Sequence, residues 1–281
     1  MVQANSSQLP RVAIVTGAAS GIGKHWAGVL AARPAQYRLA LADVNEAGLH
    51  AGFTAGESLR LHRLDVRSVE DWRTLVADTL QAYGRIDYLF NIAGGGRLGF
   101  LADQPAENVD LVVDLNLKGP VYGMRLVGQV MAAQRSGHIV NVASLAGLSA
   151  TPGNSLYSAA KAGLRSASLA AAVELRKYGV YVTVVAPDVV NTPAVQQHFK
   201  YPEAAAVIHS GSRLLEVEDI EQAFWRALRD RPLEINLPRW RGWLAKVNNV
   251  YPPLMLRLYG PLSRRGAQRL AQMQERGAAV D

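Results

Sequence analysis

The chain of 281 residues is long enough for one large domain and short of two. Its 49% hydrophobic and 19% charged residues, with no biased tract, suit a globular protein, and the lack of cysteine excludes disulfides and thiolate metal sites and fits a reducing, cytoplasmic compartment. The net charge of +7 sits mostly in residues 236–281, where eight Lys/Arg face two acids, so the high pI describes a tail and argues against a nucleic-acid-binding body.

Met1–Pro10 is polar and reads as a flexible N-terminus without the apolar core of a secretory signal. Arg11–Thr16 is a buried strand ending in a glycine turn, and Gly21–Arg33 continues as a helix. Tyr37–Asp43 and Leu59–Asp65 are the next strands, followed by an amphipathic helix over Ser68–Tyr83. Ile86–Asn91 predicts a fourth strand and Asn108–Gln134 one helix; Gly137–Ser144 predicts a fifth strand, Ser155–Tyr178 a long helix and Val180–Ala186 a sixth strand. Strands and helices alternate with connections of crossover length. That pattern predicts a single α/β domain of Rossmann type over 11–237, a doubly wound parallel sheet covered on both faces. Glu216–Arg231 closes it as an amphipathic helix and Leu233–Leu237 as a last short strand. No run nears the roughly 18 apolar residues that span a bilayer.

The first turn, Thr16-Gly17-Ala18-Ala19-Ser20-Gly21-Ile22-Gly23, joins a strand to a helix. Glycines there allow a sharp turn and a close backbone approach to pyrophosphate, and the helix N-terminus offers unpaired N–H groups to phosphate. Gly17, Ser20, Gly21, Ile22 and Gly23 are therefore candidate cofactor contacts. Asp43 ends the second strand, where it can accept from ribose hydroxyls and repel a 2′-phosphate; Val44 and Asn45 follow it, with no Lys or Arg. NAD is the expected cofactor. Asp43 can equally cap the segment that begins at Asn45.

Tyr157-Ser158-Ala159-Ala160-Lys161 sets a phenol and an ammonium four residues apart on one helix face. A nearby cation favours phenolate, which would let Tyr157 exchange a proton with a substrate oxygen near neutral pH. Ser144, at the end of the fifth strand, can hydrogen-bond the same oxygen. The six histidines show no metal-ligand spacing, and no metal is expected; the nearest pair is His198 and His209.

The ordered set of motifs over 11–235 resembles the short-chain dehydrogenase/reductase family. The resemblance implies that Tyr157 is the general acid/base, that Ser144 orients the substrate oxygen and that Lys161 lowers the tyrosine pKa and binds the nicotinamide ribose. Asn116 would hold a water that links Lys161 to solvent. Asp65 and Val66 would meet adenine, while Asn91, Ala93 and Gly94, at the turn after the fourth strand, would contact the cofactor. Pro187, Val190 and Thr192 would serve the carboxamide. It also implies hydride transfer between NAD(H) and a small-molecule alcohol or ketone, and a homodimer or homotetramer. Ile92 departs from the family's second Asn, with small consequences expected. Asp188 replaces a glycine, and is expected to cap the following turn, with the substrate pocket as the other reading.

Residues 193–215 lose periodicity and fit a substrate lid whose apolar residues suggest a steroid-like, long-chain or polycyclic substrate. The basic, aromatic-rich extension 238–281 leaves two readings open. It packs on the domain, on a second subunit or over the substrate entrance, or it makes peripheral contact with anionic membrane. A dinucleotide-binding regulatory protein and a membrane-surface adaptor are the other function classes, and retention of both Tyr157 and Lys161 speaks against the former.

Overall fold

The computed structural model describes residues 9–211 and 213–278, so residues 1–8 of the expected flexible N-terminus lie outside the description. Seven parallel strands alternate with helices. β1 (Arg11–Thr16), α1 (Gly21–Ala31), β2 (Tyr37–Asp43), α2 (Glu46–Gly52), β3 (Leu59–Arg63), α3 (Val69–Tyr83) and β4 (Tyr88–Asn91) form the first half. α4 (Ala106–Val113), α5 (Gly119–Gln134), β5 (Gly137–Val142), α6 (Ser155–Arg176) and β6 (Val180–Pro187) follow. The chain then runs through α7 (Pro202–Ala205), α8 (Val217–Asp230), β7 (Glu234–Leu237), α9 (Arg239–Val250) and α10 (Pro253–Ala278). The sheet order is β3-β2-β1-β4-β5-β6-β7, the expected doubly wound arrangement, with its reversal between β1 and β4.

Strands buried on both faces explain why β1 and β5 read as near-continuous apolar runs. On one face Trp26 of α1 meets Phe90 of β4 and Phe224 of α8 edge-to-face, at centroid distances of 5.2 and 5.1 Å. On the other, Trp72 and Leu75 of α3, Val127 and Met131 of α5 and Leu164 of α6 cover the sheet. Thr16 Oγ1 accepts from the Ile92 and Ala93 amides at 3.0 and 3.1 Å, which pins the β1 and β4 ends together at the switch point.

The single helix expected over 108–134 is instead two, α4 and α5, joined by a π-helical turn over Asp114–Lys118. The seven residues of α2 are too few to show a helical period, and only its start, the segment at Asn45 that Asp43 can cap, is expected from the sequence.

The extension is packed. α9 follows β7 directly, and α10 lies on the lid, where Gly266 is so close to Ala206 that a Cβ would overlap the Ala206 carbonyl oxygen. Leu270 is buried beside it, and the Arg269 guanidinium donates to the Gly211 carbonyl. Among the described residues, no helix is long and apolar enough to cross a membrane.

Candidate active site

A cavity of about 850 Å³ runs across the C-terminal ends of β1 to β6, where open α/β sheets bind ligands. The glycine turn forms one end of it. Gly17 has φ +72°, and a Cβ there would lie 2.9 Å from the Ala93 nitrogen, so only glycine allows β1 and β4 to close this tightly. Gly21, at φ +50°, lies against Thr192, whose methyl would be 3.3 Å from a Cβ placed there. Ser20, Ile22 and Gly23 complete the turn and line the same space. The amides at the start of α1 and the glycine backbone thus form a cradle of the shape and polarity that pyrophosphate requires.

Asp43 stands beside that cradle. Its carboxylate accepts from Ala19 N at 3.0 Å and from Asn45 N at 2.9 Å, so it fixes the turn and the start of α2 while lining the cavity. Each oxygen keeps a second lone pair for a ligand hydroxyl. Asp65 and Val66 line the adjacent wall. Asp65 is already engaged by Arg67, with Nε 2.9 Å and Nη2 2.6 Å from its oxygens, and this bond holds its carboxyl below the usual range. Arg67 carried no sequence signal of its own, yet it brings a neutralised guanidinium to this end of the cavity.

Ala93 and Gly94 line the cavity after β4, and Ile92 does so as well. Asn91 corrects the sequence expectation: its side chain is buried and donates to Asn141 Oδ1 at 2.7 Å and to the Pro120 carbonyl at 3.2 Å. It therefore ties β4 to β5 and α5 and does not line the cavity. Pro187, Val190 and Thr192 do line it, and Val190 is held by a bridge to Leu215 across the base of the lid.

The catalytic candidates converge from β5, α6 and the π turn. Ser144 Oγ donates to the Pro187 carbonyl at 3.3 Å and accepts from Ala146 N at 3.2 Å, which fixes its rotamer between two strand ends. Tyr157 is half-buried and open to the cavity, whereas Lys161 is fully buried behind it. Lys161 Nζ donates to the Val142 carbonyl at 2.8 Å and lies 5.5 Å from the Tyr157 ring centre. Asn116 is buried, and its amide is locked by Gly95 N at 3.1 Å, the Gly95 carbonyl at 2.7 Å and the Val112 carbonyl at 2.9 Å. The π turn aims it there, a use typical of such turns. Gly94 passes between Asn116 and Lys161, with a Cβ position 2.8 Å from Oδ1 and 3.3 Å from Nζ.

Burial pushes the Tyr157 phenol up to about 12, opposed by the Ser144 hydroxyl, and pushes the Lys161 ammonium down to about 7. Lys161 is not among the protein groups that shift the Tyr157 phenol in this structure. Both groups are desolvated, and the charged form of each is penalised.

The substrate end holds what the sequence left open. Asp188 does not merely cap a turn: its Oδ2 pairs with Arg241 Nε of α9 at 2.7 Å, and both line the cavity. Desolvation nonetheless raises the Asp188 carboxyl, with Arg241 opposing. From the extension, Leu254, Met255, Leu258 and Leu262 supply apolar wall. Asn248 reaches Ser149 Oγ at 2.7 Å. Asn154, at the N-terminus of α6, turns a buried Oδ1 with no partner among the described residues onto the same cavity. His198 and His209 meet in the lid, Nδ1 to Nε2, at 2.7 Å. Among the described residues no cluster of three or more His, Asp or Glu could hold a metal.

A Rossmann-type sheet, a glycine cradle at its switch point and a Ser–Tyr–Lys set on one cavity define the scaffold of a dinucleotide-linked enzyme. Residues 11–202 match the family described as short chain dehydrogenase, and the chain is an oxidoreductase belonging to that family. It is 31% identical over 227 residues to an uncharacterized oxidoreductase of Staphylococcus aureus (strain N315), covering 81% of this chain and 94% of that protein. Among solved structures, a short chain dehydrogenase/reductase from Burkholderia phymatum in complex with NAD matches with TM-score 0.77 and 27% identity, over 89% of this chain and 97% of that one. Levodione reductase matches with TM-score 0.72 and 28% identity, over 82% and 97%.

Proposed function

We propose that the protein binds NAD and interconverts a secondary alcohol and a ketone of apolar body. The observation that carries this reading is the convergence of Tyr157, Lys161 and Ser144 on the cavity that also contains the glycine cradle and Asp43. NAD would lie with its pyrophosphate on the cradle and its adenosine ribose at Asp43, whose negative charge disfavours a 2′-phosphate. Its nicotinamide would face Val190 and Thr192. The bound NAD supplies the hydride acceptor or donor.

The chain's own groups handle the proton and the position. In the oxidative direction Tyr157 takes the proton of the substrate hydroxyl, while Ser144 holds the substrate oxygen. Lys161, behind the phenol, would supply positive charge against the phenolate and would donate to the nicotinamide ribose. Asn116, across Gly94 from Lys161, would hold a water that links Lys161 to solvent. The fit of apolar walls from the lid and the extension favours steroid-like, long-chain or polycyclic substrates. The lack of cysteine supports work in the cytoplasm, and family resemblance supports a homodimer or homotetramer.

The test is a screen of NAD reduction over secondary alcohols graded by size and polarity. Turnover should rise with apolar bulk, and Tyr157→Phe should lower it by roughly 10²–10⁴ while NAD still binds. Near-normal turnover in that variant removes Tyr157 from the chemistry.

A further inference from the structure

The extension has two faces. Its inner face is used: Arg241 pairs with Asp188, Lys246 pairs with Glu234 at 2.6 Å, Arg269 donates to Gly211, and four apolar side chains of α10 wall the cavity. Its outer face is not. Trp243 of α9 is 66% exposed, Val250 85% and Leu256 of α10 83%, with Tyr251 between the helices also exposed. Trp240 and Leu244 are exposed and line the cavity too, so the apolar outer face runs into the cavity mouth. Residues 235–274 contain seven Lys/Arg and no acid. Arg239, Arg257, Arg264 and Arg265 are exposed and form no ion pair among the described residues, and Arg265 also lines the mouth.

We propose that this outer face of α9 and α10 docks on an anionic lipid bilayer, with the cavity mouth held against the membrane surface. Trp and Tyr rings suit the headgroup boundary, arginines beside them suit anionic lipid, and exposed apolar side chains suit the acyl edge. A second copy of this chain fits less well. A two-fold contact through the same face would set four unpaired arginines against the same four, with no acid to separate them. The docking stands on the outer face alone. Its consequence, that an alcohol or ketone dissolved in the bilayer enters without crossing water, rests on the oxidoreductase function proposed above.

The experiment uses the full-length protein with vesicles of phosphatidylcholine, with and without phosphatidylglycerol. The protein should sediment with the anionic vesicles, and raising the salt from 0.1 to 1 M, which shortens screening from about 10 to about 3 Å, should release it. Arg257→Gln with Arg264→Gln should weaken binding on the order of tenfold or more. Trp243→Ser with Leu256→Ser, neither lining the cavity, should weaken it while leaving turnover of a water-soluble secondary alcohol unchanged. Failure of the wild-type chain to bind anionic vesicles, or equal binding by both variants, overturns the docking. So does an oligomer, in the absence of vesicle binding, that Trp243→Ser with Leu256→Ser dissociates, because the face then joins copies of the chain. Vesicle binding with undiminished turnover in Tyr157→Phe would sink the proposed chemistry and leave the docking intact.

Discussion

Both oxygens of Asp43 are already used inside the protein, one by Ala19 N and one by Asn45 N, and this changes how the residue can be tested. Removing the side chain would loosen the glycine turn as well as the ribose contact. Asp43→Asn keeps one acceptor oxygen while deleting the charge. If the charge sets the preference, the ratio of kcat/KM for NAD over NADP should narrow at least tenfold, or about 1.4 kcal/mol. An unchanged ratio would mean that something else rejects the 2′-phosphate. Residues of this kind were legible because local pattern places them: Gly17 and Ser144 each follow a strand, and Tyr157 and Lys161 stand one helical turn apart. Asp188 and Arg241 were not, since nothing local announces a pair 53 positions apart. Asn91 illustrates the opposite error. Its position in the motif was read as a ligand contact, but in a strand side chains alternate faces, and this one falls on the core side against Asn141.

At the scale of elements, a 3.6-residue period identifies a helix but is blind to one extra residue in a turn. The apolar pattern over 108–134 therefore read as continuous, although the π turn at Asp114–Lys118 interrupts it and aims Asn116 at Gly95. The docking of α10 was equally hidden. It depends on Gly266, one of 25 glycines, lying against a carbonyl of the lid. That contact gives a direct test of whether the lid and the extension work as one wall. Gly266→Val should force the helix off Ala206, with a loss of about 1–3 kcal/mol and a fall of several degrees in Tm. KM for a bulky apolar alcohol should rise, and NAD affinity should hold because the cradle lies on β1 and α1. An unaltered KM at a lowered Tm would separate the extension from substrate binding.

For the molecule as a whole, the net positive charge is concentrated in the extension, as its sequence indicates, and the core carries its own pH dependence. His138 on β5 and His209 in the lid are buried, and burial lowers each to about 4 from 6.5; Arg231 pushes His138 the same way, as do His198 and Arg269 for His209. His138 Nε2 meets Thr183 Oγ1 at 2.9 Å and His209 Nε2 meets His198 Nδ1, while the Nδ1 atom of each is buried with no partner among the described residues. A second proton would therefore be a buried donor with no acceptor. Because the folded pKa lies below the unfolded one, the unfolded chain binds the proton first as pH falls. Stability is held above about pH 6.5 and lost progressively towards pH 4, by on the order of 2 to 3 kcal/mol per histidine. Urea unfolding at pH 7 and near pH 4.5 should show this loss, and His209→Gln should recover part of it at the lower pH alone. Parallel pH profiles for the variant and the wild-type chain would place the acid sensitivity elsewhere, in the carboxylates paired with arginine. A shallower profile would identify the lid, through its contact with α10, as the part of the fold that acid opens first.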